Sequence, residues 1–307
     1  MELNTHSETV ITGASGLLGI NWALKACISD PVVMVLHDRH VAVPRTRFCR
    51  LDLNSPDLIR EMLDQVRPAR LIHTVGLTSV EACEQNPGLA YKINVSITAN
   101  VAQACRDTGV KLVHISTDHL FDGCRAFARE DWRPKPLNVY GKTKAEAEAM
   151  VGEICNDALI IRTNFYGWGP LYRPSFSDTI IGALRRGQTL NLFDDVFYTP
   201  TLIELVIEAV NALVEKEASG IYNVVGDDRV SKYEFGLALA KVFSLDSTLI
   251  RRGSIEDMPQ LVRRPRDMSL ANTKLKVDIG RGLGSLDTHL AMLRNLENSG
   301  LNPATLR

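Results

Sequence analysis

Tyr140-Gly141-Lys142-Thr143-Lys144 sets a phenol and an ammonium four residues apart. On a helix that spacing puts both on one face, one turn apart. A cation beside a phenol favours tyrosinate and lowers its pKa, so Tyr140 with Lys144 can exchange a proton with an alcohol or a carbonyl near neutral pH. A tyrosine and a lysine at this spacing are also a common solvated pair. The chemical reading gains weight from Ser116-Thr117-Asp118, upstream at the end of the apolar run Lys-Leu-Val-His-Ile. Ligands of open α/β sheets bind at strand ends of this kind. Thr117 is placed there to donate to a substrate oxygen as negative charge develops on it.

A second chemical element stands near the start of the chain. Gly13-Ala14-Ser15-Gly16-Leu17-Leu18-Gly19 follows the β-branched run from Thr9 to Thr12 and opens an apolar stretch over residues 17–27. Strand, glycine turn and helix together cradle a dinucleotide: the glycines let backbone approach a pyrophosphate, and the helix N-terminus offers unpaired N–H groups to the anion. In that setting Lys144 can also bond the ribose hydroxyls of a nicotinamide nucleotide. An acidic residue at the end of the second strand selects NAD and a basic one suits NADP. Here the strand runs into His37-Asp38-Arg39-His40; Arg39 favours NADP and leaves NAD open.

The elements that must position these groups alternate in type. Strands are expected at residues 32–36, 71–75, 111–116 and 158–162, with a short one ending near Leu51. Helices are expected at 56–66, with Ser55 as cap and Pro56 in the first position, at 88–107, closed by Gly109, and at 138–151. Such alternation to about residue 163 predicts a doubly wound parallel sheet. Beyond it, Gly167-Trp168-Gly169-Pro170 breaks the pattern. Helices at 177–186, 202–214 and 231–243 and a strand at 221–225 are expected, and 250–269 reads as irregular and basic. The expected organisation is a dinucleotide-binding domain of residues 1–163 plus about 201–225, and a smaller discontinuous lobe of 164–200 and 226–307. Glu130-Asp131 and Asp194-Asp195 read as solvated loop carboxylates, with Glu130 in a stretch able to cover a substrate.

The chain has 307 residues, a formal net charge of −1 and six cysteines. That length supports one large α/β domain with a smaller lobe. The charge balance argues against a nucleic-acid scaffold, since Arg263-Arg264-Pro265-Arg266 is the most basic run and is too short to follow a duplex. Cys27, Cys49, Cys83, Cys105, Cys124 and Cys155 form no C-x-x-C pair and read as reduced, mostly buried small hydrophobes. A few polar residues precede the first strand, and no apolar run reaches about 18 residues, so a cytoplasmic protein without a membrane partner is expected.

Taken together, the motifs resemble the extended short-chain dehydrogenase/reductases, and within them the dTDP-4-dehydrorhamnose reductase (RmlD-like) branch. The resemblance runs along nearly the whole chain. It is carried by residues 12–19, Leu51-Asp52-Leu53, residues 78–84, Ser-Thr-Asp-His-Leu-Phe-Asp-Gly at 116–123 and Pro-Leu-Asn-Val-Tyr-Gly-Lys-Thr-Lys at 136–144. Further along, Arg162-Thr163, Pro200-Thr201, Tyr-Asn-Val-Val-Gly at 222–226 and Arg264-Pro265 fall where the family has similar pieces. It implies a Rossmann-type doubly wound sheet and reduction, dependent on a nicotinamide cofactor, of a keto group on a nucleoside-diphosphate sugar. Tyr140 would give the proton, Thr117 would steady the oxygen and Lys144 would complete the catalytic set. Gly13, Ser15, Gly16, Leu17 and Leu18 would hold the pyrophosphate, Asp52 and Leu53 the adenine, and Val75, Gly76 and Ser116 the ribose side.

Thr78, His119, Phe165 and Arg264 complete the implied substrate site, Arg264 through bidentate guanidinium contacts to a diphosphate. Three positions depart from the family pattern. His119 stands where the family has Tyr, Phe165 where it commonly has Trp, and His73-Thr74-Val75-Gly76 where it has Asn-Ala-Ala. No metal is expected, and a homodimer is compatible with the resemblance. Two other readings are a non-catalytic NADP-binding subunit, like the regulatory subunit of methionine adenosyltransferase, and an epimerase or dehydratase of the same superfamily.

Overall fold

In the computed structural model, which describes residues 8–299 and 301–306, seven parallel strands make the central sheet. They are β1 (Thr9–Thr12), β2 (Val32–Leu36), β3 (Thr46–Arg50), β4 (Arg70–His73), β5 (Lys111–Ile115), β6 (Leu159–Arg162) and a last strand, Gly220–Asn223. The polar stretch ahead of β1 lies largely outside the described residues. β1 pairs with β2 on one side and β4 on the other. The chain therefore reverses its direction of growth across the sheet between these strands, and the order is Gly220–Asn223, β6, β5, β4, β1, β2, β3. This is the doubly wound architecture expected from the alternation, and its ligand crevice lies beyond the C-terminal ends of β1 and β4. The central strands are buried on both faces because helices cover both.

One face packs against the helices Leu17–Ala26 and Ile203–Glu215 through Ile20, Trp22, Val206 and Val210. The other packs against Pro56–Val66 and Ile97–Thr108 through Ile59, Leu63, Val101 and Cys105. A separate apolar cluster around Tyr166, Ile180, Tyr198, Phe235, Leu239 and Leu290 forms the second body of hydrophobic packing. Its helices begin at side-chain caps: Ser175 and Ser231 each form a reciprocal capping box, and Ser285 caps Leu286–Leu296.

Three local expectations are corrected. The single helix over 88–107 is Pro87–Tyr91, a π-helical turn at Lys92–Ser96, and Ile97–Thr108. The wider turn carries Asn94, whose amide is fixed by the Leu77 N–H at 2.8 Å, the Leu77 carbonyl at 3.2 Å and the Thr143 hydroxyl at 3.0 Å. Such i+5 turns break helical periodicity without changing composition. The stretch expected to be irregular contains the strand Ile250–Gly253, paired with Leu190–Phe193. Glu130 is structural: its carboxylate accepts from the Asn223 N–H and its carbonyl from Arg162. Asp195 is likewise engaged, accepting from Ser254 Oγ at 2.6 Å and the Ile255 N–H at 3.0 Å.

The helix Val139–Ile154 is tied to β6 by a buried ion pair. Arg162, 1 % exposed, donates through Nε and Nη2 to the Glu148 carboxylate at 3.0 and 2.7 Å. Removing one partner strands a charge in a low-dielectric interior. Glu148→Ala is expected to destabilise the protein by about 3–5 kcal/mol, read as a lower urea midpoint.

Candidate active site

A cleft of about 820 Å³ opens at the sheet crevice. Its floor at one end is the glycine turn. Gly13 adopts φ +70°, and a Cβ there would meet Thr74 and Val75 at 2.9 Å. Only glycine fits both the left-handed conformation and the close approach of the loop after β4. Gly16 caps the helix Leu17–Ala26 without a side-chain bond, so the first-turn N–H groups are available to a ligand. The turn thus fits a dinucleotide pyrophosphate. Asp52, Leu53, Asn54, Leu89, Lys92 and Ile93 also line the cleft. Asp52 is held below its usual pKa by the Asn54 backbone N–H and side chain.

At the other end the cleft receives residues from three elements. The segment after β5 supplies Ser116, Thr117, Asp118 and His119; Val139–Ile154 supplies Tyr140 and Lys144; the segment after β6 supplies Thr163, Asn164 and Phe165. Asn138 caps the Tyr140 helix by accepting from the Gly141 N–H at 2.9 Å. Gly141 lets the helix sit against the His119 loop, since a Cβ would lie 2.4 Å from the His119 carbonyl oxygen. This approach sets the His119 ring edge-on to Tyr140, 5.5 Å between centroids. Asp118, 1 % exposed, accepts from Asn164 Nδ2 at 2.6 Å and from the Thr117 hydroxyl at 3.3 Å.

Lys144 is almost wholly buried. Its ammonium donates to the Ile115 carbonyl at 2.7 Å and stands 3.3 Å from His114 Nε2. Burial pulls its pKa down to about 8, opposed by Glu148. The expected lowering of the Tyr140 pKa is not found. Burial pushes the phenol up, and the Thr117 hydroxyl only partly offsets it. The reason is geometric: the Lys144 ammonium is turned toward the Ile115 carbonyl and His114, and desolvation penalises the phenolate. Beneath it, His114 stacks on His73 at 5.6 Å, and burial holds both imidazoles neutral, His73 at about 3. His73 lies between the hydroxyls of Thr12 at 2.7 Å and Thr98 at 3.1 Å. His119 is also pulled down by burial against the opposing Asp118 charge.

The structure therefore brings Gly13, Ser15, Gly16, Leu17, Leu18, Asp52, Leu53, Val75, Gly76, Thr78, Ser116, Thr117, His119, Tyr140, Lys144 and Phe165 to one cleft. Two expected residues lie outside its lining. Arg39 stacks on the Tyr172 ring, 4.1 Å from its centroid, while His37 takes the place at the end of β2. Arg264 is paired with Glu81. Sequence reasoning missed Asn94, His114 and Arg173. Arg173 alone carried a signal, a cation between Pro170 and Pro174 in an irregular stretch.

The family description "RmlD substrate binding domain" matches residues 7–295. The chain belongs to this family. A dTDP-4-dehydrorhamnose reductase of Aggregatibacter actinomycetemcomitans is 27% identical, covering 89% of this chain and 94% of its own. The methionine adenosyltransferase 2 subunit beta of Xenopus laevis is 29% identical over 89% of this chain and 83% of its own. Among solved structures, a dTDP-4-dehydrorhamnose reductase from Bacillus anthracis in complex with NADP superposes with a TM-score of 0.83 at 25% identity, covering 95% of this chain and 99% of that one. No helix among the described residues is long and apolar enough to cross a membrane.

With two contacts made to Ile115 and His114, the Lys144 ammonium keeps one N–H for a ligand in the cleft, and its charge and that third donor are lost above its pKa of about 8. NADPH affinity, read by nicotinamide fluorescence, is expected to be flat below that pH. Above it, affinity should weaken by up to about tenfold per pH unit.

Proposed function

We propose that this chain reduces a keto group on a nucleoside-diphosphate sugar with a nicotinamide nucleotide, NADPH in preference to NADH. The observation that carries the reading is the convergence of Thr117, Tyr140 and Lys144 at one end of a cleft whose other end is the Gly13 turn. The reductases related to it along nearly their full length support the substrate class. Residues 1–163 with about 201–225 form the cofactor-binding unit in this proposal, and 164–200 with 226–307 the substrate lobe.

When bound, the reduced nicotinamide supplies a hydride to the sugar carbonyl carbon. The Tyr140 phenol is protonated at neutral pH, the state a proton donor needs. Its hydroxyl hydrogen passes to the carbonyl oxygen, and the Thr117 hydroxyl donates to the same oxygen as it gains charge. Lys144 holds the ribose and, with the phenolate that forms, restores charge balance. Gly13, Ser15, Gly16, Leu17 and Leu18 hold the pyrophosphate, Asp52 and Leu53 the adenine, Val75, Gly76 and Ser116 the ribose side. Thr78, His119 and Phe165 face the sugar. A cytoplasmic homodimer acting on soluble sugar nucleotides completes the proposal.

A second reading, a cofactor-binding regulatory subunit without turnover, is favoured by the likeness to methionine adenosyltransferase 2 subunit beta. Nicotinamide absorbance separates the two. With a dTDP-4-keto-6-deoxysugar, the native chain is expected to oxidise NADPH, and Tyr140→Phe to lower kcat by about 10²–10⁴-fold with cofactor affinity preserved. Cofactor binding without oxidation would instead support the regulatory subunit.

A further inference from the structure

Residues 170–174 form a strap from the second body of packing to the glycine turn. Its two ends are stapled by one carboxylate: Asp178 Oδ2 accepts from the Gly169 N–H at 2.8 Å and from the Ser175 N–H at 2.7 Å. The Arg173 N–H closes a turn onto the Pro170 carbonyl at 2.8 Å, and Leu171 projects into solvent at the tip, 83 % exposed. The base is held, so what the strap carries is directed.

It carries two side chains to the turn. The Tyr172 hydroxyl donates to the Ser15 carbonyl at 2.9 Å, with the Arg39 guanidinium stacked on its ring. Arg173 lines the cleft: Nη2 donates to the Thr78 hydroxyl at 3.2 Å, and Nη1 lies 4.0 Å from where a Cβ on Gly16 would stand. Among the described residues no carboxylate pairs with Arg173. A guanidinium without a counter-charge therefore faces the same space as the unpaired N–H groups at the start of Leu17–Ala26. Two positive groups beside one another in one cleft suit a ligand with two adjacent negative charges.

We propose that Arg173 is the second jaw of the cofactor pyrophosphate clamp, delivered by the strap, with the helix N-terminus as the first. This rests on the cofactor reading above. It makes the strap a determinant of cofactor affinity that is indifferent to the 2′-phosphate, because NADPH and NADH share the pyrophosphate.

The test is direct titration of the full chain with NADPH and with NADH, followed by nicotinamide fluorescence, for the native protein, Arg173→Ala and Arg173→Lys. Arg173→Ala is expected to raise both dissociation constants by the same factor, about tenfold or more, with the ligand-free melting temperature unchanged. Arg173→Lys should recover part of the loss. Unchanged affinity for both nucleotides would overturn the proposal, and so would a loss confined to NADPH, which would place Arg173 at the 2′-phosphate. An equal loss with a lowered ligand-free melting temperature and no recovery in Arg173→Lys would make its role structural, again overturning it. Failure of the native chain to bind either nucleotide would overturn the cofactor reading itself.

Discussion

The active end of the cleft depends on the close approach of the Gly141 backbone to the His119 carbonyl. No side chain fits between them. With the helix Val139–Ile154 seated this tightly against the segment after β5, Tyr140 and Lys144 reach the same cleft as Thr117. Asn138 fixes the start of that helix and the Arg162–Glu148 pair anchors its body to β6.

Burial is the shared physical cause of the electrostatics here. It raises the Tyr140 phenol, lowers the Lys144 ammonium and makes His73 and His114 weaker bases. A polar site built from protonated phenol, hydroxyl and a half-committed ammonium suits delivery of a proton to an oxygen gaining charge, and suits proton abstraction less. The neutral His pair below Lys144 extends the polar network to Thr12 and Thr98, linking β1 and β4 at the point where ligands bind such sheets.

Much of this was legible in sequence because it is local. The glycine turn, the Ser55 cap, Gly109 and the buried strands each follow from residue types within a few positions of one another. Asn94 was not legible, because a π-helical turn changes the direction of a side chain without altering the helical composition around it. Glu130 was misread as a solvated carboxylate for a similar reason: its partners, Asn223 and Arg162, are distant in sequence. The lowered Tyr140 pKa expected from spacing failed because spacing places Lys144 on the correct face but says nothing of what its ammonium bonds.

The sequence by itself determined the doubly wound sheet, the dinucleotide cradle at Gly13 and the candidate triad of Thr117, Tyr140 and Lys144, since periodicity, glycine stereochemistry and helical spacing act over short distances. Only the tertiary structure decided which charged groups face the cleft. Arg39 and Arg264 were drawn to Tyr172 and Glu81, while Arg173, stapled through Asp178, was set against the glycine turn. The direction of a long flexible cation is chosen by the ring, carboxylate or backbone it meets across the fold, and that choice is not written in its neighbours along the chain.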